Sequence, residues 1–154
     1  MDLRKPFFDT ILEMAKADKD KIVLVGDLGF SFKERFEKEL PDQIINCGAA
    51  EQNMTGVAAG LARTGKKPYV YSGAVFITMR NYEFVRDDVA YNNTNVKLVG
   101  TGASGFLGFT HNLLGKENEE DLLKNLPNLQ RFYPKNEGEL KQALLVEGPA
   151  YIRL

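Results

Sequence analysis

Apolar and polar residues alternate along the chain in blocks that predict strands followed by helices. Ile22–Val25 is a continuous apolar run, which is typical of a strand covered on both faces. In Lys5–Lys16 the apolar residues recur at every third or fourth position, which is the spacing of one helix face. Further strands are predicted at Ile44–Cys47, Lys67–Ser72, Asn95–Val99, Leu129–Tyr133 and Ala150–Leu154, and further helices at Phe32–Leu40, Phe76–Tyr91, Glu119–Leu126 and Glu137–Val146. The alternation predicts an α/β three-layer sandwich, in which helices cover both faces of a mainly parallel sheet.

The stretch Ile44–Gly65, with the sequence IINCGAAEQNMTGVAAGLARTG, has the clearest local pattern. It predicts a short buried strand, a tight turn at Gly48 and a helix that carries Glu51 in its first turn. One apolar face of this helix is expected to pack on the core, and it consists of Ala50, Met54, Val57, Ala58 and Leu61. The flank that carries Glu51 is made of small residues, namely Thr55, Ala58 or Ala59, and Ala62. A second helix or a bound ring could therefore approach this flank closely.

Four residues with useful chemistry follow predicted strands, and they are Asp27, Glu51, Phe76 and His111. Functional residues gather at the carboxyl ends of the strands in open parallel sheets, so one edge is expected to hold all four. The spacing alone, however, gives Glu51 a simpler explanation. The unpaired N–H groups and the dipole at a helix N-terminus favour an acidic residue in the first turn.

Composition narrows the possible functions. The 154 residues are expected to form one domain, 1–154, around a single core. The formal net charge is −1 and the basic residues are scattered, so there is no electrostatic footprint for nucleic acid or for an anionic membrane. Without a secretory or transmembrane stretch, and with Cys47 as the only cysteine, a cytoplasmic location is expected and Cys47 is interpreted as a buried small hydrophobe. One cysteine and one histidine also leave no Cys/His metal site within this chain.

The string CGAAEQNMTGVAAGLARTGKKPYVY resembles the thiamine diphosphate-binding pyrimidine domain of the transketolase family. The family pattern in this region is close to N-x-G-x-A-E-Q-N-M-x-G-x-A-A-G-L-A-x-x-G. The resemblance implies the thiamine diphosphate-binding fold and makes Glu51 both a catalytic and a cofactor-binding residue. In the family, a carboxyl group at N1′ of the pyrimidine favours the imino tautomer and so raises the basicity of the cofactor's own 4′-amino group. Glu51 is therefore expected to act through a short, partly desolvated hydrogen bond.

The segment SGAVFITMRNYEFVRDDVAYNNTNVKLVG resembles the family segment that encloses the pyrimidine ring. Phe76 and Tyr82 match its aromatic positions, and Arg80 and Arg86 match recurrent arginines. The resemblance assigns Phe76, Tyr82 and Arg80 to cofactor binding. Taken singly, the two aromatic residues are explained by ordinary core packing, and Arg86 by a surface ion pair.

Two loops supply the other candidates. Asp27 and Leu28, in GDLGFS, match an acidic-leucine pair that lies close to the cofactor in the family. The alternative for Asp27 is a strand-end turn in which it bonds its own backbone. His111, in GFTHN, matches a histidine that reaches the substrate, where it could exchange protons or donate hydrogen bonds. Taken alone, a single histidine is better explained by a structural or incidental role, and Asn112 replaces the usual glutamine, which puts the substrate in more question than the cofactor.

The diphosphate-binding half of such enzymes carries Gly-Asp-Gly and a later asparagine, which hold Mg²⁺ and the diphosphate. Here Gly26-Asp27 is followed by Leu28, and this segment already matches the pyrimidine domain. The resemblance therefore implies that thiamine diphosphate binds with Mg²⁺ whose ligands come from a second polypeptide or an absent domain. Longer relatives also continue past the equivalent of GPAYIRL into a C-terminal domain, which is expected to be either dispensable in this lineage or removed.

These matches identify the chain as a member of the transketolase family and imply the pyrimidine-binding subunit of a split enzyme. The expected partner is a diphosphate-binding subunit, and the expected assembly is a homodimer or a heterotetramer with two copies of each subunit. The implied reaction transfers a two-carbon ketol unit between sugar phosphates or activated sugars. Two alternatives stay open, namely another thiamine diphosphate reaction, such as 2-oxo acid decarboxylation or acyloin synthesis, and a non-catalytic regulatory subunit.

Overall fold

The computed structural model of the chain describes residues 2–102 and 119–154. Its strands are β1 Lys21–Val25, β2 Ile44–Asn46, β3 Lys67–Gly73, β4 Lys97–Thr101, β5 Gln130–Phe132 and β6 Ala150–Arg153. Its α-helices are α1 Arg4–Ala17, α2 Lys33–Glu39, α3 Glu51–Arg63, α4 Tyr82–Phe84, α5 Glu119–Leu123 and α6 Glu137–Leu145, and a 3₁₀ turn covers Pro41–Gln43. Every predicted strand and helix is present with boundaries that differ by a few residues, except that Phe76–Tyr91 differs in kind.

The described strands form one parallel sheet in the order β2-β1-β3-β4-β6-β5. This arrangement confirms the predicted α/β fold with a parallel sheet. In the register, Val25 of β1 pairs with both Asn46 and Tyr71, and Ser72 of β3 pairs with Gly100 of β4. The carboxyl ends of β1, β2, β3 and β4 therefore lie along the same edge, where functional residues were expected.

Helices cover both faces of this sheet. The cluster under α1, α2 and α6 includes Phe7, Ile11, Phe36, Tyr71 and Leu144. The cluster under α3 and the Phe76–Tyr91 segment includes Leu24, Met54, Ile77, Leu98 and Tyr151. Each large apolar side chain that is fully buried contributes about 1.5–3 kcal/mol relative to an exposed one, so these clusters hold the three layers together. No helix in the described part of the chain is long and apolar enough to cross a membrane.

The prediction that Ile44–Cys47 is a buried strand is wrong. Because β2 lies at the edge of the sheet, its Ile45 and Asn46 are exposed. Cys47, which follows β2, is half-buried instead of buried as interpreted from the sequence. Its partial burial nevertheless raises the pKa of the thiol above its usual range.

The segment Phe76–Tyr91 is not the regular α-helix that the spacing predicts. Its π-helical turns, on either side of α4, are Phe76–Arg80 and Val85–Tyr91. Thr78 Oγ1 donates a hydrogen bond of 2.6 Å to Ala74 O, and Asn81 Nδ2 donates one of 3.4 Å to Ile77 O. These side chains compete for carbonyl oxygens that a backbone N–H would take in an α-helix, which favours the wider turns.

The buried face of α3 also differs from the prediction. Val57, which was expected to pack on the core, is exposed, and Thr55 on the small-residue flank is fully buried. Asn81 Nδ2 donates a hydrogen bond of 2.5 Å to Thr55 Oγ1. The close approach that the small residues predicted is therefore made by the chain's own Phe76–Tyr91 segment.

Substitution of Gly100 by alanine is expected to lower the free energy of unfolding by about 1–3 kcal/mol through overpacking. An added Cβ would lie 2.8 Å from the Tyr151 hydroxyl and 3.1 Å from Ala74 Cα, which is backbone and cannot easily move. Gly60→Ala is the matched control, because a Cβ on this exposed residue of α3 meets nothing within 4 Å. The control should gain up to about 1 kcal/mol from helix propensity. Urea denaturation measures both, and equal stabilities for the two variants would contradict this packing.

Candidate functional site

Three elements bring a buried carboxyl group to the carboxyl edge of the sheet. After β2 the chain turns at Gly48, whose φ of +70° favours glycine, and it enters α3 with Glu51 as the first helical residue. Gly26 directly follows β1, Ser72 lies near the end of β3, and both are buried. The Glu51 side chain is only 2% exposed and lies against these two strand ends.

The two carboxyl oxygens of Glu51 have different surroundings. Oε1 accepts a hydrogen bond of 2.9 Å from Ser72 Oγ. It also lies 3.3 Å from the position that a Cβ at residue 26 would take, so a side chain larger than that of Gly26 would press on it. Oε2 lies 3.5 Å from Nη1 of Arg80, which makes a long ion pair. A carboxylate with so little solvent is thus held by one good hydrogen bond and one long ion pair.

Arg80 covers the outer side of this carboxyl group. Its guanidinium carbon lies 4.4 Å from the centroid of the Phe76 ring in a cation–π contact, and its side chain is half exposed. Phe76 itself is half-buried. Gln52 Nε2 donates a hydrogen bond of 3.2 Å to the carbonyl oxygen of Arg80 and so ties α3 to the segment that carries both residues. The structure therefore brings together three predicted site residues, Glu51, Phe76 and Arg80.

Asp27 lies at the same edge, next to Gly26, and is exposed. Its φ is +54°, in the left-handed region, and its N–H donates a hydrogen bond of 3.2 Å to Asn46 Oδ1. Asn46 Nδ2 lies 3.4 Å from Asp27 Oδ1, and Asn46 Oδ1 also accepts from the N–H of Gly48 at 3.1 Å. The Asn46 side chain thus fixes the turn after β1. The turn interpretation expected Asp27 to bond its own backbone instead. A contact between Asp27 and the cofactor stays a prediction.

The other candidate residues have different positions. Leu28 packs against the cluster on the α1 face of the sheet, opposite the face on which α3 packs. Tyr82 is half-buried against the cluster under α3, in keeping with core packing. Arg86 forms an exposed ion pair of 2.8 Å with Asp87, which confirms the surface interpretation. His111 lies outside the described residues, so its role and the ligand contacts of Leu28 and Tyr82 stay predictions.

Sequence reasoning did not find Gly26, Asn46 or Ser72. Ser72 offered a usable signal, because a small polar residue near the end of a buried strand needs a hydrogen-bonding partner. Gly26 and Asn46 offered a weaker signal, because the sequence around each does not indicate which side chain of another element it contacts.

Comparison with known proteins extends the resemblance to nearly the whole chain. The family described as the pyrimidine binding domain of transketolase matches residues 1–153. An apulose-4-phosphate transketolase subunit of Phocaeicola vulgatus is 38% identical, over 98% of this chain and 50% of that protein. The 6-deoxy-6-sulfo-D-fructose transketolase subunit SqwH of Clostridium sp. strain MSTE9 is 36% identical, over 99% of this chain and 49% of that protein.

A solved structure supports the same relationship. It is described as a split gene transketolase in an inactive beta4 tetramer, and it matches with a TM-score of 0.85 and 35% identity. The match covers 98% of this chain and 50% of the solved chain. The chain thus spans about half the length of the relatives it matches.

The variant Glu51→Gln is expected to raise the free energy of unfolding of the isolated chain by about 1 kcal/mol, because it removes a poorly compensated buried charge. Arg80, the cation left behind, is half exposed and can be hydrated. Glu137→Gln is the matched control, because Glu137 is the first residue of α6 but is exposed, and it should change stability little. Urea denaturation at neutral pH measures both variants. A stability loss in Glu51→Gln would show instead that the carboxylate stabilises the fold.

Proposed function

This chain belongs to the transketolase pyrimidine-binding domain family, and we propose that it forms the pyrimidine-binding side of a thiamine diphosphate site in a split transketolase. The observation that carries the proposal is the pairing of a buried Glu51 carboxyl group with the half-buried ring of Phe76 at the carboxyl edge of the sheet. An aminopyrimidine is a flat ring with a polar edge, so it needs one aromatic face and one hydrogen-bonding carboxyl group.

The contacts of Arg80 support the fit of such a ring. Its guanidinium group is planar, lies over the Phe76 ring, and has one nitrogen 3.5 Å from Glu51 Oε2. A planar ring that stacks on Phe76 would satisfy the same two residues and would compete with Arg80 for that position. Because the Arg80 side chain is half exposed, it can turn to the rim of the site, and its proposed role there is in cofactor binding.

When bound, thiamine diphosphate supplies the nucleophilic carbon for cleavage and formation of carbon–carbon bonds. Glu51 would hold the cofactor's pyrimidine by a hydrogen bond from Oε2, through which a proton could be exchanged, and Phe76 would supply an aromatic face for the ring. The low exposure of Glu51 strengthens this hydrogen bond, since water does not compete for it. The absence of a side chain at Gly26 leaves room for Oε1, because a Cβ at this position would lie 3.3 Å from that oxygen.

The proposal includes a second subunit that supplies Mg²⁺ and binds the diphosphate. Among residues 2–102 and 119–154, no group of three or more His, Cys, Asp or Glu side chains could hold a metal ion. Two of the relatives are named as subunits, and each is about twice the length that this chain matches. The proposed assembly is a homodimer of this chain within a heterotetramer in the cytoplasm.

The proposed reaction is transfer of a two-carbon ketol unit between sugar phosphates or activated sugars, with His111 contacting the substrate. The named substrates of the two relatives differ, being apulose 4-phosphate and 6-deoxy-6-sulfo-D-fructose, while their identities to this chain are nearly equal at 38% and 36%. Overall similarity therefore favours ketol transfer as the reaction class without selecting one sugar.

Calorimetric titration of thiamine diphosphate and Mg²⁺ tests the shared site. Tight binding is expected only when this chain is mixed with the diphosphate-binding subunit, and Glu51→Ala should weaken it at least tenfold, which corresponds to about 1.4 kcal/mol. Glu137→Ala, at the first position of α6, serves as the control and should bind like the wild type. If the mixture binds no better than the partner subunit alone, the shared-site proposal fails.

Turnover tests the catalytic role of Glu51 separately from binding. In the reconstituted complex, Glu51→Gln should lower kcat by about 100-fold or more, because the amide retains the shape but cannot exchange the proton. Ketose donors with an aldose acceptor are the assay substrates. Near-normal turnover would remove Glu51 from this role, and cofactor binding without turnover in the wild-type complex would favour the non-catalytic alternative.

A further inference from the structure

Ser72 lies at the point where β3 meets the candidate site. Its side chain is fully buried, and its hydroxyl donates the 2.9 Å hydrogen bond to Glu51 Oε1. Gly26, which directly follows β1, lies beside it. A Cβ at Gly26 would lie 3.2 Å from Ser72 Oγ and 3.3 Å from Glu51 Oε1. The absence of a side chain at Gly26 therefore leaves space for the serine hydroxyl and the carboxyl group together.

We propose that Ser72 is a positioning residue that fixes Glu51 Oε1 and thereby makes Oε2 the only oxygen presented to the pyrimidine ring. This inference rests on the proposed function, and it assigns to Ser72 a role that acts through Glu51. Ser72 itself would not touch the cofactor.

The surroundings of the carboxyl group are asymmetric in the way this role requires. Oε1 points to the strand ends, beside the backbone of Gly26. The terminal methyl of Met54 closes the same region, since it lies 3.3 Å from the position of a Cβ at residue 26. Oε2 points instead toward Arg80, whose side chain is half exposed. Among the described residues, Arg80 is therefore the half-exposed side chain that a ligand from solvent would displace to reach Oε2, whereas Oε1 lies against Ser72, Met54 and the backbone of Gly26.

A serine hydroxyl can hold Oε1 both before and after the Glu51 carboxyl group gains or loses a proton. The terminal torsion of a glutamate side chain is broad, so an unanchored carboxyl group can exchange its two oxygens by rotation. A hydroxyl donor at Oε1 stops that rotation. It serves an ionised carboxylate and equally the carbonyl oxygen of a carboxylic acid whose proton is on the other oxygen. Ser72 thus keeps the exchangeable proton of Glu51 at Oε2, facing the ring.

The test compares Ser72→Ala, Ser72→Cys and Ser72→Thr in the reconstituted complex. Alanine removes the donor, cysteine keeps the size with a much weaker donor, and threonine keeps the hydroxyl. We expect kcat to fall about tenfold in the alanine and cysteine variants and to stay within about threefold of the wild type in the threonine variant, a tenfold change being about 1.4 kcal/mol. The dissociation constant for thiamine diphosphate, measured by calorimetry with Mg²⁺, should change less than about threefold in all three, because the diphosphate contacts lie elsewhere.

Tyr69→Phe is the matched control, because it also removes a buried hydroxyl from β3. That hydroxyl donates to Leu144 O at 2.9 Å and does not contact Glu51, so neither kcat nor cofactor affinity should change. Near-ultraviolet circular dichroism of the bound cofactor is the readout beyond activity, since it reports the tautomer of the aminopyrimidine. Loss of the imino signal is expected in Ser72→Ala, and not in Ser72→Thr or Tyr69→Phe.

The outcomes separate this inference from the function on which it depends. If Glu51→Gln removes turnover while Ser72→Ala and Ser72→Cys match the wild type, the positioning role is wrong and the proposed function stands. If kcat is unchanged but all Ser72 variants lose cofactor affinity and thermal stability together, Ser72 is merely structural. If Glu51→Gln retains turnover, the proposed function itself fails.

Discussion

The burial of one carboxyl group constrains the structure around it. An ionised side chain without water needs compensating hydrogen bonds or charges, and Glu51 has the Ser72 hydroxyl on one oxygen and Arg80 at 3.5 Å from the other. The carboxyl group fits because β1 is followed by Gly26 and because α3 begins just after the turn at Gly48. Sheet, turn and helix thus converge on one buried carboxyl group, and polar groups that are retained at a cost in stability are typical of functional sites.

The site has one well-formed side and one open side. Strand ends and the start of α3 enclose Glu51 from within, whereas the half-exposed Arg80 covers it from outside among the residues that the structure describes. The irregular turns of Phe76–Tyr91 place Phe76 and Arg80 at this rim, and wide helical turns of this kind are frequent at functional sites. The chain that carries this candidate site spans about half the length of two proteins named as transketolase subunits and of the chain described as a split gene transketolase.

Much of the fold could be predicted from the sequence because it depends on local patterns. Apolar runs and helical spacing located the strands and helices, and alternation indicated a parallel sheet. The errors arose where tertiary contacts decide. The position of β2 at the edge exposes Ile45, and the side-chain hydrogen bonds of Thr78 and Asn81 widen a helix that spacing alone makes regular.

The site was predictable to a similar extent. Glu51, Phe76 and Arg80 carry recognisable motifs, so their clustering followed from the family resemblance. Ser72 and Asn46 act through partners 21 and 19 residues away in the chain, and only the strand register reveals which groups they meet. Leu28 packs on the α1 face of the sheet, a position that its sequence motif alone does not indicate, and its cofactor contact stays a prediction.

A crystal structure of the reconstituted complex with thiamine diphosphate and Mg²⁺ tests the central claim most directly. The account predicts that N1′ of the pyrimidine lies about 2.7–2.9 Å from Glu51 Oε2, the range of a charge-assisted hydrogen bond between nitrogen and oxygen. It also predicts that the ring stacks on Phe76, with Arg80 turned aside and Ser72 still bonded to Oε1. A pyrimidine bound away from Glu51, with Arg80 still stacked on Phe76, would contradict it.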